Sequence, residues 1–582
     1  MASRQASRQA CRLCRRRKVK CDGLTTCRNC DIAKTACQYS PPKKRGPKPV
    51  KWQDARPEVP PCSASTATDS SRGAESPALP AETNAPSCSA SDSPLSSTVT
   101  ANPLIETPET QTETATRVHL GLLAGLLAAT PSQTAASIAN NCILLYTRYV
   151  FGSTPVCHEA TVRATVHRFF IPLLDGDSPT DDYERVLHCF AADTERERIE
   201  ALRSITLLTA LCAAVTYVVP ESLLPSKYLT APLFLRAARD TLRIYEDYDL
   251  EHPNSSSLSI RLFLSSSIQT ASGTHGVAFH ILSEAGLIAM RMGLYHESAL
   301  EGRDALEETL LRNAFWQLYV CDKTALVMKG RPVTIHETLF EGGLTTKAHS
   351  ASPVPLFDPA GESNGAGIEG RLAEGFHVIC RLWAMAARVI QGMESLSREA
   401  SDAFNDMVAS RESVKQLSEA YFEMITLTNN LPVLFRSPAE SSPDMNQEAD
   451  KYMSQVLQRQ RTSYLITLHM IKVLVLHSAI QCKTTEVIGL SADPLTLAMR
   501  QIEQAQDFLN AIESVPFLHL QAEGEHCVEK IRRVGSLLLE LAHNAESHVV
   551  KSQANQCAMR LIDMLVRLDS KASDVLGQQM DF

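Results

Sequence analysis

No histidine precedes His119 in this 582-residue chain. A zinc module that depends on imidazole ligands, the C2H2 finger above all, is therefore excluded from the N-terminal segment. Nor is there an apolar run near the roughly 18 residues needed to span a bilayer. The longest candidate, Leu120 to Ala129, is short and contains Gly121 and Gly125, so no membrane span is expected. The N-terminus, MASRQASRQACRLC, carries positive charge without a following apolar segment, which predicts no secretory leader and a chain that stays in a reducing compartment. A Gly-rich phosphate loop, a nucleophile elbow and a paired-histidine metal motif are all missing, so an enzyme is not expected. His275, His280 and His296 are read as structural.

Charge is distributed very unevenly. The first 51 residues hold fifteen Lys or Arg against Asp22 and Asp31, a formal +13, which leaves −21 on the rest of a chain whose total is −8. A basic head on an acidic body predicts that one end meets a polyanion while the body stays soluble by self-repulsion. Cysteine is uneven too: six of the seventeen fall between Cys11 and Cys37. Dense, regularly spaced cysteines in a reducing compartment point to metal rather than disulfides. The scattered ones, such as Cys142, Cys189, Cys212, Cys321 and Cys380, lie in apolar helical sequence and read as small core residues.

The cluster reads Cys11-x2-Cys14-x6-Cys21-x5-Cys27-x2-Cys30-x6-Cys37, one C-x2-C-x6-C unit followed by a second. A C-x2-C pair presents two sulfurs to one ion at about 2.3 Å, and the third cysteine returns after a short helix. Two tetrahedral ions need eight ligand positions, so six sulfurs suffice only if two of them bridge both metals. A binuclear cluster follows. RING-type and LIM-type modules would need eight ligand residues, usually with histidine.

The segment ACRLCRRRKVKCDGLTTCRNCDIAKTACQY resembles the fungal zinc-cluster (Zn2Cys6) transcription factors at all six cysteines, at the basic run and at the Cys-Asp-Gly turn. The resemblance implies two zinc ions, with Cys11 and Cys27 as the bridging ligands. It assigns Cys14 and Cys21 to one ion and Cys30 and Cys37 to the other. Thr26 stands where the family commonly has proline before the fourth cysteine, a departure that touches loop rigidity and not ligation. Between Cys14 and Cys21 lie Arg15, Arg16, Arg17, Lys18, Val19 and Lys20, too short for an isolated helix unless metal holds both ends. In the family the basic position three before the third cysteine reads base edges, here Lys18, and the site is a GC-rich CGG-type half-site in double-stranded DNA. Arg15, Arg16, Arg17 and Lys20 spread over more than one face, so some must meet phosphate.

Lys43, Lys44 and Arg45 follow in a stiff Pro-rich linker suited to the DNA backbone, to nuclear import, or to both. From Asp54 to Thr116 the chain is rich in Ser, Thr, Pro and Ala, without a sustained heptad repeat, so disorder is expected and no coiled coil is evident. A homodimer, if formed, needs another surface. Helical periodicity then dominates, and Val277 to Leu294, apolar almost all round, is expected deep in a bundle. Leu306, Leu310, Leu311, Ala314, Phe315, Leu318 and Tyr319 form an apolar stripe on one helix, and Gly330-Arg331-Pro332 is expected to end it. Pro-, Gly- and Ser-rich loops are expected around Ser350 to Gly370 and Ser437 to Asp450.

The order Ser272-Gly273, EAGLIAMRMGLYHES from Glu284, LLRNAFWQLYVCDK from Leu310 and GRPVTI from Gly330 resembles the middle homology region of the same family. The expected architecture is mostly α: a Zn2Cys6 DNA-binding domain over 1–40, a basic linker and disordered Ser/Thr/Pro-rich segment over 41–134, an all-α regulatory domain over 135–570, and a tail over 571–582. The expected function is that of a nuclear RNA polymerase II transcription factor, an activator of a pathway or secondary-metabolite gene cluster. It would meet the transcription machinery, and a small-molecule effector is left open. The rival is a zinc-dependent scaffold that binds nucleic acid or protein without sequence preference.

Overall fold

The computed structural model describes residues 11, 13–14, 21–22, 24–32, 36–39, 108–170, 179–272, 276–328, 333–350, 354–357, 365–401, 407–427 and 448–568. These are mostly helical and contain no strand, as expected. In the head, α1 is Arg28–Ile32. In the body, α2 is Pro108–Ala129, α3 Ala135–Leu145, α4 Glu159–Phe169, α5 Pro179–Phe190, α6 Glu195–Val218, α7 Lys227–Glu251, α8 Ser255–Ser272 and α9 Gly276–Arg291. Then come α10 Ala305–Met328, α11 Gly365–Ser401, α12 Met407–Thr426, α13 Glu448–Gln481, α14 Pro494–Glu513, α15 Phe517–Glu523, α16 Glu525–Asn544 and α17 His548–Arg567. A π turn, Tyr146–Val150, extends α3.

The body begins earlier than the sequence suggests. Composition predicts disorder for much of 108–129, yet these residues form α2, whose Ala115, Leu122, Leu123 and Leu126 are buried. His119 secures it, with Nε2 2.8 Å from the Phe169 carbonyl and its ring edge-on to Phe169, Phe170 and Phe190. Gly125 permits close approach: a Cβ there would sit 3.1 Å from Leu233 of α7. Thr-rich composition hid this helix, because its stability comes from docking and not from propensity.

Two apolar cores share the body. The first gathers residues between Ala115 and Phe357, with Leu372 and Val456, and the second gathers residues from Val327 to Leu565. Helix α6 runs through the first with side chains buried on all sides. Its start is fixed by a capping box, in which Thr194 Oγ1 accepts from the Glu197 amide at 3.2 Å and Glu197 accepts from the Thr194 amide at 3.3 Å. Helix α13 plays the corresponding part in the second core through Tyr464, Met470, Ile471 and Val475. Helices α10 and α11 contribute to both cores.

Glu195–Val218 and Gln455–Gln481 are long and apolar enough to cross a membrane by length and composition, contrary to the reading of Leu120 to Ala129 as the longest apolar run. Of their most apolar windows, 83% and 78% are buried in the bundle. Another expectation fails at α9: Leu287 is 63% exposed and Val277 lies on the surface, so only the face bearing Ala278, Ala285, Gly286, Ile288 and Ala289 is covered. Apolar content alone did not distinguish a deep helix from a half-covered one. The α10 stripe is buried from Leu311 through Tyr319, with Leu306 and Leu310 at its margin. Cys142, Cys212 and Cys380 are buried, and Cys189 and Cys321 half-buried.

Charged residues fasten the first core. Asp249 of α7 accepts from Arg203 Nε of α6 at 2.9 Å, Ser257 Oγ of α8 at 2.7 Å and Arg261 Nη1 of α8 at 2.6 Å. Arg261 Nε reaches Glu284 of α9 at 2.9 Å, so four helices meet around a fully buried carboxylate. The sequence segments singled out above also lock together. Asp322 accepts from the Thr334 and Ile335 amides at 2.6 and 3.1 Å, and a Cβ on Gly286 would stand 3.3 Å from Thr334 Oγ1. Buried Arg312 grips Glu297 through two nitrogens at 2.7 and 3.0 Å, and these bonds hold the Glu297 carboxyl below the usual range. Gly273, His275 and residues 329–332 lie outside the described residues, as does 571–582. Helices α11 and α13 begin within the two stretches expected as loops.

Candidate metal centre

Two like units of sequence fold into one sulfur cluster. In the first, the Cys11 amide donates to Cys21 Sγ at 3.5 Å; in the second, the Cys27 amide donates to Cys37 Sγ at 3.4 Å. The internal repeat is thereby a repeat of structure. Cys11, Cys14, Cys27 and Cys30 are fully buried, and their four sulfurs lie within 4.8 Å of one another. Cys11 Sγ stands 3.7 Å from Cys27 Sγ and 3.5 Å from Cys30 Sγ, while Cys14 Sγ stands 3.5 Å from Cys27 Sγ. Thiolates at about 2.3 Å from one tetrahedral zinc are about 3.8 Å apart, so these are the spacings of donors that share a metal. Cys21 lies close to Cys27 as well, within 4.8 Å and with Asp22 beside it.

The electrostatics agree with that fit. Burial and contact with neighbouring thiols push Cys14 up to about 12 and Cys30 up to about 11, and Cys27 higher still. Thiols packed so tightly are hard to ionise by themselves. A divalent cation removes the difficulty by replacing their protons, and soft sulfur donors suit zinc.

Two residues outside the ligand set shape the turn. Asp22 Oδ1 accepts from the Leu24 amide at 3.2 Å, and its Oδ2 accepts from the Arg28 amide at 2.9 Å, capping α1. An Asx turn after cysteine is a readable signal for the first contact, while the second reaches six residues on and is not. Tyr39 donates to the Leu24 carbonyl at 2.6 Å and touches Cys21 Sγ at 3.5 Å. No pattern announces that tyrosine. Arg15, Arg16, Arg17, Lys18, Lys20, Lys43, Lys44 and Arg45 lie outside the described residues.

Residues 9–46 match the family described as the fungal Zn(2)-Cys(6) binuclear cluster domain. The chain is 37% identical over 95 residues to a depudecin biosynthesis cluster-specific transcription activator of Fusarium langsethiae, covering 15% of this chain and 16% of that protein. It is 51% identical over 37 residues to a transcriptional regulatory protein of Schizosaccharomyces pombe, covering 6% of this chain and 4% of that one. The chain therefore spans less than a fifth of the length of these curated relatives. The head is a zinc-binding domain of the fungal binuclear type.

Proposed function

We propose that this chain, whose head is a fungal zinc-cluster domain, is a zinc-dependent, sequence-specific transcription factor of RNA polymerase II promoters. The observation that carries the reading is the closed sulfur cluster, with Cys14 and Cys21 at the two ends of a six-residue segment holding five basic residues. Six cysteine ligands hold two zinc ions, with Cys11 and Cys27 shared. Their 3.7 Å separation, together with the approach of Cys11 to Cys30 and of Cys14 to Cys27, supports that sharing. Zinc supplies the rigidity that a six-residue helix lacks. Lys18 then meets guanine edges of a CGG-type half-site, while Arg15, Arg16, Arg17, Lys20 and the linker's Lys43, Lys44 and Arg45 neutralise phosphates. Neutralising about five phosphates gives a slope of log K against log salt near −4.5.

The protein acts in the nucleus with the transcription machinery, as an activator of a pathway or secondary-metabolite gene cluster. The name of the Fusarium langsethiae relative supports that direction. The helical body, 108–568 together with its connecting segments, is the regulatory part that answers to a small-molecule effector, and it has no enzymatic role. A dimer, if formed, uses a surface other than a coiled coil, and binding as a monomer is the alternative. Electrophoretic mobility shifts at near-physiological salt test the reading: a CGG-bearing duplex binds at least about tenfold tighter than its scrambled counterpart, and Lys18→Ala erases that preference at unchanged zinc content. Equal affinity of the unaltered protein for both duplexes rejects this function in favour of a zinc-dependent scaffold.

A further inference from the structure

Between the two apolar cores of the body lies a cavity of about 170 Å³, walled by α6, α8, α10, α11, α13 and α16 among others. A dry cavity of roughly 150 Å³ is enough to hold benzene, so this one suits a ring or a short branched chain. Phe263, Phe376 and Trp383 supply apolar wall. Its polar groups are unusual for a core. Lys530 is only 8% exposed, and its Nζ donates to one neutral partner, Thr467 Oγ1, at 2.9 Å. It joins none of the ion pairs among the described residues. A buried ammonium is ordinarily paired with an anion. Gln317, on the same wall, has a buried amide oxygen without a hydrogen-bond partner. The two carboxylates in the wall are already engaged: Glu523 accepts from Ser463 at 2.9 Å, and Glu529 stands 3.7 Å from Arg532 and accepts from Gln269 at 3.4 Å.

The geometry points to a binding site for a small hydroxylated monocarboxylic acid with an apolar body. Its carboxylate pairs with Lys530, its hydroxyl donates to the Gln317 amide oxygen, and its hydrocarbon fills the aromatic part of the cavity. Glu523 and Glu529 select against a second carboxylate by like-charge repulsion in a poorly solvated space. Because the wall is drawn from both cores, an occupant bridges them and stabilises the body by mass action. This inference rests on reading the body as the effector-responsive part of the regulator, and it names the ligand class.

Isothermal titration calorimetry on the full-length zinc-loaded protein tests it, with 2-hydroxyisocaproate and 4-hydroxybenzoate as probes, each against its primary amide. At least one acid binds saturably with one site per chain, and its amide binds at least about tenfold more weakly. Lys530→Met removes the preference for acid over amide, while Thr467→Val, which frees Nζ, keeps it. No saturable binding of either acid up to about 10 mM, or equal binding of acid and amide, overturns the site. The wild-type comparison needs no variant, so it decides the matter even where Lys530→Met fails to fold. Duplex binding is measured separately on the same protein, so failure of the DNA reading and failure of the cavity are told apart.

Discussion

In the head, Cys11, Cys14, Cys27 and Cys30 occupy the place that dozens of aliphatic and aromatic side chains occupy in the body. A segment of about forty residues cannot bury enough apolar surface to offset its conformational entropy, whereas the body carries two full cores. The head's fold is therefore conditional on a cation and the body's is not. The same contrast governs charge. The head's sequence offers its cations to a polyanion, while the body turns Arg203, Arg261 and Arg312 inward onto carboxylates.

Metal removal is the largest test of this contrast. Structural zinc contributes roughly 10–16 kcal/mol of apparent binding energy in small modules. Exhaustive chelation should abolish hydrogen-exchange protection over 11–39 while protection over α6 and α13 stays within error. A body that melts with the head, or a head that keeps its protection, breaks the distinction.

This asymmetry also explains which features are legible in the sequence. The meeting of Cys11, Cys14, Cys27 and Cys30 was legible because C-x2-C spacing is the geometry of chelation written in sequence. The all-α body was legible from its period, and the α10 stripe along with it. Helix α2 was not, since it is held by distant partners such as Phe169 and Leu233. Nor was the Asp249 cluster, whose members come from four helices, nor the meeting of Lys530 with Thr467, which are 63 residues apart. Spacing encodes local chemistry; it does not encode which buried charges will find each other.

The second test falls on the body alone. Asp249→Ala leaves Arg203 and Arg261 buried without their shared carboxylate, and truncating one partner of a buried pair costs about 3–5 kcal/mol. Urea unfolding should show that loss, with zinc content and affinity for a short duplex unchanged. Arg203 Nη1 also lies 3.2 Å from Glu200, so a loss below about 1 kcal/mol would mean that Glu200 and Glu284 carry the arginines unaided.

Acid should separate the regions at a smaller magnitude. Burial lowers His119 from 6.5 to about 4, so the folded body favours the neutral ring. That stabilisation is complete above pH 6.5 and is lost as the pH falls toward 4, a contribution on the order of 3 kcal/mol. His119→Gln keeps an N–H for the Phe169 carbonyl but cannot titrate. Its body should lose correspondingly less stability than the wild type between pH 7 and about pH 4.5. Identical pH profiles for the two proteins would place the acid sensitivity elsewhere.

The smallest test deletes the same oxygen in each region. Tyr146 is 2% exposed; its hydroxyl donates to the Thr154 carbonyl at 2.7 Å and accepts from the Val156 amide at 3.3 Å. Phenylalanine there removes both bonds and leaves the Val156 amide and the Thr154 carbonyl only their 3.0 Å bond to each other, which costs about 1–1.5 kcal/mol. Tyr39 makes a comparable 2.6 Å bond to the Leu24 carbonyl, but in the head and next to solvent. Water can replace that hydroxyl, and zinc, not the hydrogen bond, sets the path of the chain. Tyr39→Phe should therefore change zinc affinity by less than about 1 kcal/mol in a competition titration. If Tyr39→Phe instead cost as much as Tyr146→Phe, the Tyr39 contact with Cys21 Sγ would be part of what holds the metal, and the head would depend on its hydrogen bonds as closely as the body does.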